Sequence, residues 1–319
     1  MPGPDGLPLF NELPEFPEGG ERHAWDVFGA DNDLGTVNFL TPDRVKHAAS
    51  LVKRGVSINL DLPLDLPRRA KVAEGERGRG PYEHVVFVNR GGGDDRVDNF
   101  YLQGSSQWDS LRHVRYRAHG YFHGLQDDDL ANSSRLGIHH LSERGGISGR
   151  GVLIDIPRFV GPSFKHTDRV AADGAMIEEI AKKQGVEIRE GDILVFRTGW
   201  MTNYLSLSVE DQEKPEAMDG FVPSSGLSGT QETMAWLWDH RIAAVAGDNI
   251  PCEATPVVDG SYQHRRLLAM FGMPIGELWS LDALADDCAR DGVYEFFLVA
   301  KPLNLPNGVG SPSNAVAFK

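Results

Sequence analysis

The sequence contains little cysteine and no long apolar run. Its two cysteines, Cys252 and Cys288, allow at most one disulfide bond in 319 residues, so a disulfide framework is excluded. No segment approaches the roughly 20 consecutive apolar residues that a membrane-spanning helix needs. Residues 1–20 lack both a basic start and an apolar stretch, so we interpret them as an N-terminal arm rather than a targeting signal. We therefore expect a cytoplasmic protein with reduced thiols.

Basic residues are also scarce relative to acidic ones. Lysine and arginine total 32 against 46 aspartates and glutamates, which gives a formal net charge of −14. A charge of this sign repels polyanions, so nucleic acid and anionic membranes are poor candidate partners, and we expect a small-molecule substrate. Apolar residues make up 40% of the chain, enough for a large core. Because no linker or repeat divides the sequence, residues 21–319 are expected to form one catalytic domain after the arm.

Predicted helices and strands alternate along the chain without a regular repeating unit. Thr41 followed by Pro42 predicts a helix start, because threonine is a good N-cap and proline suits the first helical position. The apolar run 151–156 is typical of a buried strand. The other predicted elements are helices over 175–184, 230–240 and 281–290, strands over 56–62, 84–89, 191–196, 242–246, 294–300 and 315–318, a turn over 91–95 and an exposed loop over 66–81. The pattern predicts a mixed α/β fold of unspecified topology.

A dense polar cluster occupies residues 103–113, QGSSQWDSLRH, ahead of a glycine- and aromatic-rich loop. Loops on a rigid scaffold often carry function. Within the cluster, Asp109 and His113 are four residues apart. On a helix such a pair is often only a surface contact. Alternatively, a carboxylate that hydrogen-bonds to one imidazole nitrogen raises the basicity of the other, which a general base requires.

Several common catalytic signatures are missing from the sequence. The glycines at 91–93 do not open a helix with the spacing of a dinucleotide-binding fingerprint. No GxSxG motif is present, which argues against a serine hydrolase of the usual kind. Cys252 has an acidic neighbour, Glu253, and no basic residue beside it to activate the thiol. The 103–113 cluster is therefore the strongest functional candidate.

That cluster resembles the motif HxGTHxDxPxH of the putative cyclase family, which includes bacterial kynurenine formamidase and isatin hydrolase. Asp109 corresponds to the metal-binding aspartate of the motif and His113 to its catalytic histidine. Gln103 and Gln107 stand where the family has two metal-binding histidines. Further segments resemble the family in order and spacing: residues 31–38, the RTGW at 197–200, the GLS at 226–228 with Glu232, residues 243–248, His264 with Arg265, Glu277, and residues 310–312.

The resemblance implies a fold and an activity. The fold is a swivelling β/β/α-type single domain of the α/β class, usually found as a homodimer. The activity is hydrolysis of a small amide, lactam or lactone by attack of water on a carbonyl. In this interpretation His113 is the general acid or base, Asp109 and Gln107 orient the water, and Glu232 is a second carboxylate. Glu232 at a helix start is explained almost as well by the helix dipole.

Four further residues are candidates for substrate binding: Ser106, Trp108, Tyr121 and His123. Aromatic and imidazole side chains can hold a planar or apolar substrate. A donor at Ser106 could stabilise a developing oxyanion. An ordinary role in a loop or in the core is the alternative for each of them.

Two other functions stay open from the sequence. A metal-independent Asp109–His113 pair could promote cyclisation, dehydration or isomerisation of a small, polyketide-like metabolite. A ligand-binding protein that kept the fold but lost the chemistry is the third alternative.

Gln103 and Gln107 also determine which metal ion we expect the site to bind. An amide oxygen is a neutral, hard and weak ligand, whereas imidazole binds Zn²⁺ strongly. The sequence therefore predicts either no metal or a weakly bound divalent cation at Asp109 and Gln107, with Mn²⁺ or Mg²⁺ favoured over Zn²⁺.

We predict that the protein purifies without stoichiometric Zn²⁺, because two imidazole ligands are missing. Replacing both Gln103 and Gln107 by histidine should raise the affinity for Zn²⁺. Elemental analysis of the two purified proteins measures the difference. Stoichiometric Zn²⁺ bound at Asp109 in the unmodified protein would contradict the prediction.

Overall fold

The computed structural model describes residues 6–17, 20–69, 78–214, 217, 223–258 and 262–319. Its helices are α1 Pro42–Ala49, α2 Asp127–Ala131, α3 Ile138–Glu143, α4 Ile156–Val160, α5 Gly174–Lys183, α6 Trp200–Ser206, α7 Val209–Gln212, α8 Gln231–Asp239 and α9 Asp282–Asp291. Its strands are β1 Ser57–Asn59, β2 Glu83–Asn89, β3 Gly92–Asp98, β4 Gln107–Asp109, β5 Ile147–Asp155, β6 Ala171–Ala172, β7 Ile193–Arg197, β8 Gly226–Leu227, β9 Ala244–Gly247, β10 Ile275–Glu277, β11 Glu295–Ala300, β12 Gly310–Pro312 and β13 Ala315–Phe318.

A nine-stranded mixed sheet forms the centre of the molecule, in the order β1-β13-β11-β5-β7-β9-β10-β4-β12. Strands β5, β7, β9 and β10 are parallel neighbours, and antiparallel strands extend the sheet on both sides. The parallel strands are apolar almost throughout because both faces of the sheet are covered. The predicted mixed α/β single domain is confirmed.

The helices follow from their caps and their apolar faces. Thr41 caps α1 by accepting a hydrogen bond from the Arg44 amide, as predicted. Helices α5 and α8 pack together where Gly174 lies against the Trp236 ring, leaving no room for a side chain on that glycine. None of the helices in the described ranges is long and apolar enough to cross a membrane.

Strands β2 and β3 form a two-stranded hairpin outside the main sheet. The turn predicted over 91–95 is wrong for most of its length, since Gly92–Asp98 is a strand and only the tip of the hairpin turns. The repeated glycine and aspartate there conceal the strand because both residues are uncommon in sheets. Residues 70–77 of the predicted loop 66–81 lie outside the described ranges.

The predicted N-terminal arm packs against the body of the protein over residues 6–17. Phe10, Leu13 and Phe16 are buried in the main core. The Phe10 amide donates a hydrogen bond to Asp239 at 2.7 Å, and the Trp238 indole donates to the Pro8 carbonyl at 3.0 Å. This part of the arm therefore belongs to the folded domain.

A buried ion-pair network joins β5 to β11 and to Asp192, the residue that precedes β7. Arg150 on β5 is 5% exposed and donates to both oxygens of Asp192, at 2.7 and 2.9 Å. It also donates to Glu295 on β11 at 2.6 Å. Burial raises the pKa of Asp192 to about 6, although the charge of Arg150 opposes this shift. The positive charge of Arg150 therefore stabilises the ionised form of Asp192 inside the protein.

We predict that Arg150→Leu lowers the free energy of unfolding by about 3–5 kcal/mol, because it leaves a buried carboxylate unpaired. Adding Asp192→Asn should recover part of the loss by removing that charge. Urea unfolding measures both changes. Arg189→Leu is the control, since its ion pair with Glu187 is exposed, and should cost below about 1 kcal/mol. A similar small cost for Arg150→Leu would contradict the prediction.

Candidate active site

The candidate site is built on β4, which lies between β10 and β12. Side chains alternate across a strand, so Gln107 and Asp109 share one face while Trp108 points to the other. Gln107 is directly opposite Glu277 of β10 in the antiparallel register. Its Nε2 donates a hydrogen bond to Glu277 Oε2 at 2.7 Å. Strand pairing therefore brings together residues that are far apart in the sequence.

Asp109 is completely buried at the end of β4. Gln103 Nε2 donates to its Oδ1, whereas its Oδ2 has no hydrogen-bond partner within the described structure. Oδ2 lies 3.6 Å from His264 Nε2 and 3.9 Å from His113 Nε2. Burial raises the pKa of Asp109, and the charge of His113 opposes that shift. Asp109 thus presents one free oxygen to two imidazoles.

His264 lies among three buried carboxylates. Its Nδ1 is 2.9 Å from Glu253 Oε2, and its Nε2 is 2.9 Å from Glu277 Oε1. The histidine is the N-cap of a π-helical segment, Arg265–Phe271, a rare geometry that is frequent at functional sites. Burial alone would lower the pKa of His264, but Glu253 and Glu277 raise it well above its ordinary value.

The cluster carries more negative than positive charge. Asp109, Glu253 and Glu277 are each at most 3% exposed, and His264 supplies a single positive charge to all three. Burial alone would raise the pKa of Glu277, but the adjacent imidazolium lowers it below its ordinary value. Uncompensated buried carboxylates are costly, so the cluster favours a bound proton or cation.

The donor atoms fit a divalent cation. Asp109, His264 and Glu277 each offer one ligand atom, and these atoms lie within 4.8 Å of one another. Gln107 Oε1 is a further buried oxygen without a donor in the described ranges. Glu253 holds the opposite nitrogen of His264, as carboxylates commonly do behind metal-binding histidines. Two carboxylates, one imidazole and one amide oxygen suit a hard ion.

His113 lies at the edge of this cluster. Its side chain is 22% exposed, whereas that of His264 is only 4% exposed. The two imidazole rings are 6.3 Å apart, measured between centroids. His113 therefore has access both to Asp109 and to molecules that enter from solvent, as a proton-transfer group requires.

The structure gathers four of the residues singled out from the sequence: Gln103, Gln107, Asp109 and His113. Glu232 lies elsewhere, exposed in the first turn of α8, and no contact in the described ranges links it to Asp109. Its position agrees with the helix-dipole interpretation.

The four residues considered for substrate binding are held by other contacts. Trp108 is fully buried edge-on against Trp279, and Ser106 donates to the Leu278 carbonyl. The other two residues lie in the loop over residues 116–124. The Tyr121 hydroxyl donates a hydrogen bond to Asp127 at 3.1 Å, and His123 Nε2 is 2.7 Å from the Asn32 carbonyl oxygen. A role for them in substrate binding stays a prediction.

Sequence reasoning gave no role to Glu253, His264 or Glu277. His264 and Glu277 stand out in the sequence only as matches to family segments, and Glu253 only as a neighbour of Cys252. All three are far from residues 103–113 in the sequence, and no spacing rule connects them. The available signal was the apolar stretch around Glu277, residues 275–279, since a lone charged residue in a buried segment needs a partner.

The comparisons with known proteins identify the family of the chain. The sequence profile described as putative cyclase matches residues 81–254. The crystal structure of a novel cyclase is 33% identical to this chain, with a TM-score of 0.80, and the match covers 93% of this chain and 99% of the other. The chain belongs to the putative cyclase family.

More distant structures share the fold of this family member. Isatin hydrolase A from Labrenzia aggregata, bound to benzyl benzoate, is 16% identical with a TM-score of 0.57, over 85% of this chain and 94% of the other. Isatin hydrolase A from Ralstonia solanacearum is 15% identical with a TM-score of 0.58, over 82% and 91%. Among curated proteins, none matches the chain.

We predict that Glu253→Gln lowers the pKa of His264, because one of the two glutamates that stabilise the imidazolium loses its charge. Titration of the histidine ring protons by NMR, in protein stripped of metal, measures the shift. Glu178→Gln is the control, because Glu178 contacts His240 and Trp236 on the surface. An unchanged His264 titration in Glu253→Gln would contradict the assigned pairing.

Proposed function

We propose that this cyclase-family protein is a hydrolase of a small amide, lactam or lactone, in which water attacks the carbonyl carbon. The observation that supports it is the buried cluster of Asp109, His264 and Glu277 with the partly exposed His113 at its edge. Such a cluster provides both a place for a cation or proton and a group that can transfer protons.

We propose that Asp109, His264 and Glu277 hold a divalent cation, with Gln107 Oε1 as an additional oxygen ligand. When bound, the cation would polarise the substrate carbonyl and lower the pKa of a water molecule. Oxygen donors outnumber the single imidazole, so Mn²⁺ or Mg²⁺ is favoured over Zn²⁺. This set of metal ligands has one more carboxylate and one imidazole than the motif residues Gln103, Gln107 and Asp109 could provide by themselves.

The residues of the chain then perform the proton transfers. Asp109 Oδ2 accepts a hydrogen bond from the attacking water and orients it towards the carbonyl carbon. His113 Nε2 removes the proton from the water and delivers it to the leaving nitrogen or oxygen. Glu253 holds His264 through Nδ1, so that Nε2 keeps its direction towards Asp109 and Glu277. Gln103 fixes the other oxygen of Asp109.

We also propose that the chain forms the homodimer that the family resemblance implies. The hairpin supports it, because Val86, Phe87 and Val88 on β2 are 59%, 44% and 83% exposed. Contiguous exposed apolar residues of this kind are typical of contact surfaces between proteins.

We predict that His113→Ala lowers the turnover of an amide, lactam or lactone substrate by about 10²–10⁴-fold, the usual contribution of general acid–base catalysis. A panel of such substrates, assayed by mass spectrometry, identifies the active one and its product. EDTA should reduce the activity of the unmodified protein, and Mn²⁺ should restore more of it than Zn²⁺.

His47→Ala is the matched control, since His47 is exposed on α1. It should retain full turnover. Equal rates for the unmodified protein and His113→Ala would refute the assignment. Products formed by loss of water or by isomerisation, without hydrolysis, would point instead to the cyclase or dehydratase alternative.

A further inference from the structure

A cavity of about 390 Å³ has Gly104, which lies shortly before β4, in its lining. Part of its wall is aromatic, formed by Tyr82, Phe100 and Tyr101. Another part is basic, because Arg68 and Arg69 also line it. The cavity thus combines flat apolar surfaces with positive charge in a protein whose net charge is −14.

Arg69 connects this cavity to the candidate active site. Its Nε and Nη2 donate to the Gly104 carbonyl at 3.3 and 2.9 Å. Arg79 donates to the carbonyl of the preceding residue, Gln103, whose side chain in turn holds Asp109. Two guanidinium groups are therefore fixed on the short segment that leads from the cavity to the buried carboxylates.

Two guanidinium groups, those of Arg69 and Arg79, lie close together at the inner wall, and the carboxylate that acts on both of them is Glu277 on β10. Burial, together with the neighbouring charge of Arg79, lowers the pKa of Arg69 to about 10. The acidic residues of the lining, Asp65 and Glu213, are both exposed, so water screens them. Arg68 Nε is buried without a hydrogen-bond partner in the described ranges. An anion at the inner wall would relieve the repulsion between Arg69 and Arg79 and would accept a hydrogen bond from Arg68 Nε.

An anionic ligand needs such a counter-charge here. Asp109, Glu253 and Glu277 repel any anion that approaches the candidate catalytic centre. Positive charge placed between the cavity and that centre offsets this repulsion. It also fixes the orientation of the ligand, because a guanidinium binds a carboxylate through two parallel hydrogen bonds.

We propose that the substrate is an aromatic acid, with its carboxylate bound by Arg69 and its ring held against Tyr82, Phe100 and Tyr101. The carbonyl to be hydrolysed then lies on the side of the substrate nearer Asp109. This inference rests on the proposed hydrolase function, and it assigns Arg69 as the residue that selects anionic substrates.

The test compares two probes of the same shape, 2-naphthoate and its neutral counterpart 2-naphthamide, by isothermal titration calorimetry. The unmodified protein should bind 2-naphthoate at least about tenfold more tightly, as expected for a charge-assisted hydrogen bond. Arg69→Gln should lose that preference while its affinity for 2-naphthamide changes less than twofold. Arg69→Lys should keep part of it, because the charge is retained but the bidentate geometry is lost.

Arg96→Gln is the matched control, since Arg96 is an exposed arginine on β3 paired with Asp98. It should bind both probes like the unmodified protein. Equal affinities for the two probes, no binding of either at millimolar concentration, or an equal loss of both in Arg69→Gln would overturn the proposal. The last result would mean that Arg69 only supports the local structure.

Binding is measured without turnover, so this inference and the hydrolase proposal can fail separately. A protein that binds 2-naphthoate through Arg69 but hydrolyses nothing contradicts the hydrolase proposal alone. A hydrolase that binds both probes equally contradicts the assignment of Arg69 alone.

Discussion

The pairing of His264 with buried carboxylates is the interaction on which the centre of this molecule depends. Glu253 binds one nitrogen of the ring and Glu277 the other, and Asp109 lies just beyond. Each carboxylate would be costly to bury alone. Their burial is tolerated because one imidazole faces all of them and because Gln103 donates a hydrogen bond to Asp109, while Gln107 and the Cys252 amide donate to Glu277.

The sheet makes that arrangement rigid. Strand β4 is only three residues long, yet it is hydrogen-bonded on both sides, so Gln107 and Asp109 cannot turn away from Glu277. Trp108 and Trp279 pack against each other and anchor the same two strands through the core. A site whose charged groups repel one another keeps its geometry only when the surrounding packing over-determines it.

The two glutamines of the motif contact the buried carboxylates. Gln103 donates to Asp109 and Gln107 donates to Glu277, but an amide carries no charge. The positive charge that balances the cluster comes instead from His264 and, farther out, from Arg69 and Arg79. The balance of charge is thus distributed between the buried centre and the wall of the adjacent cavity.

The sequence by itself determined the class of the fold and part of the candidate active site. Capping residues, apolar periodicity and the resemblance of residues 103–113 to a known motif were enough to predict the mixed α/β domain and to single out Gln107, Asp109 and His113, because all of these are local signals. The tertiary structure alone decided that Glu253, His264 and Glu277 complete the cluster and that Glu232 lies apart from it. Glu253, His264 and Glu277 are separated from Asp109 by more than 140 positions. The strand order places β10, and with it Glu277, beside β4, and Glu277 contacts His264, which in turn contacts Glu253. Register between strands distant in sequence depends on the packing of the whole core, and no local pattern encodes it.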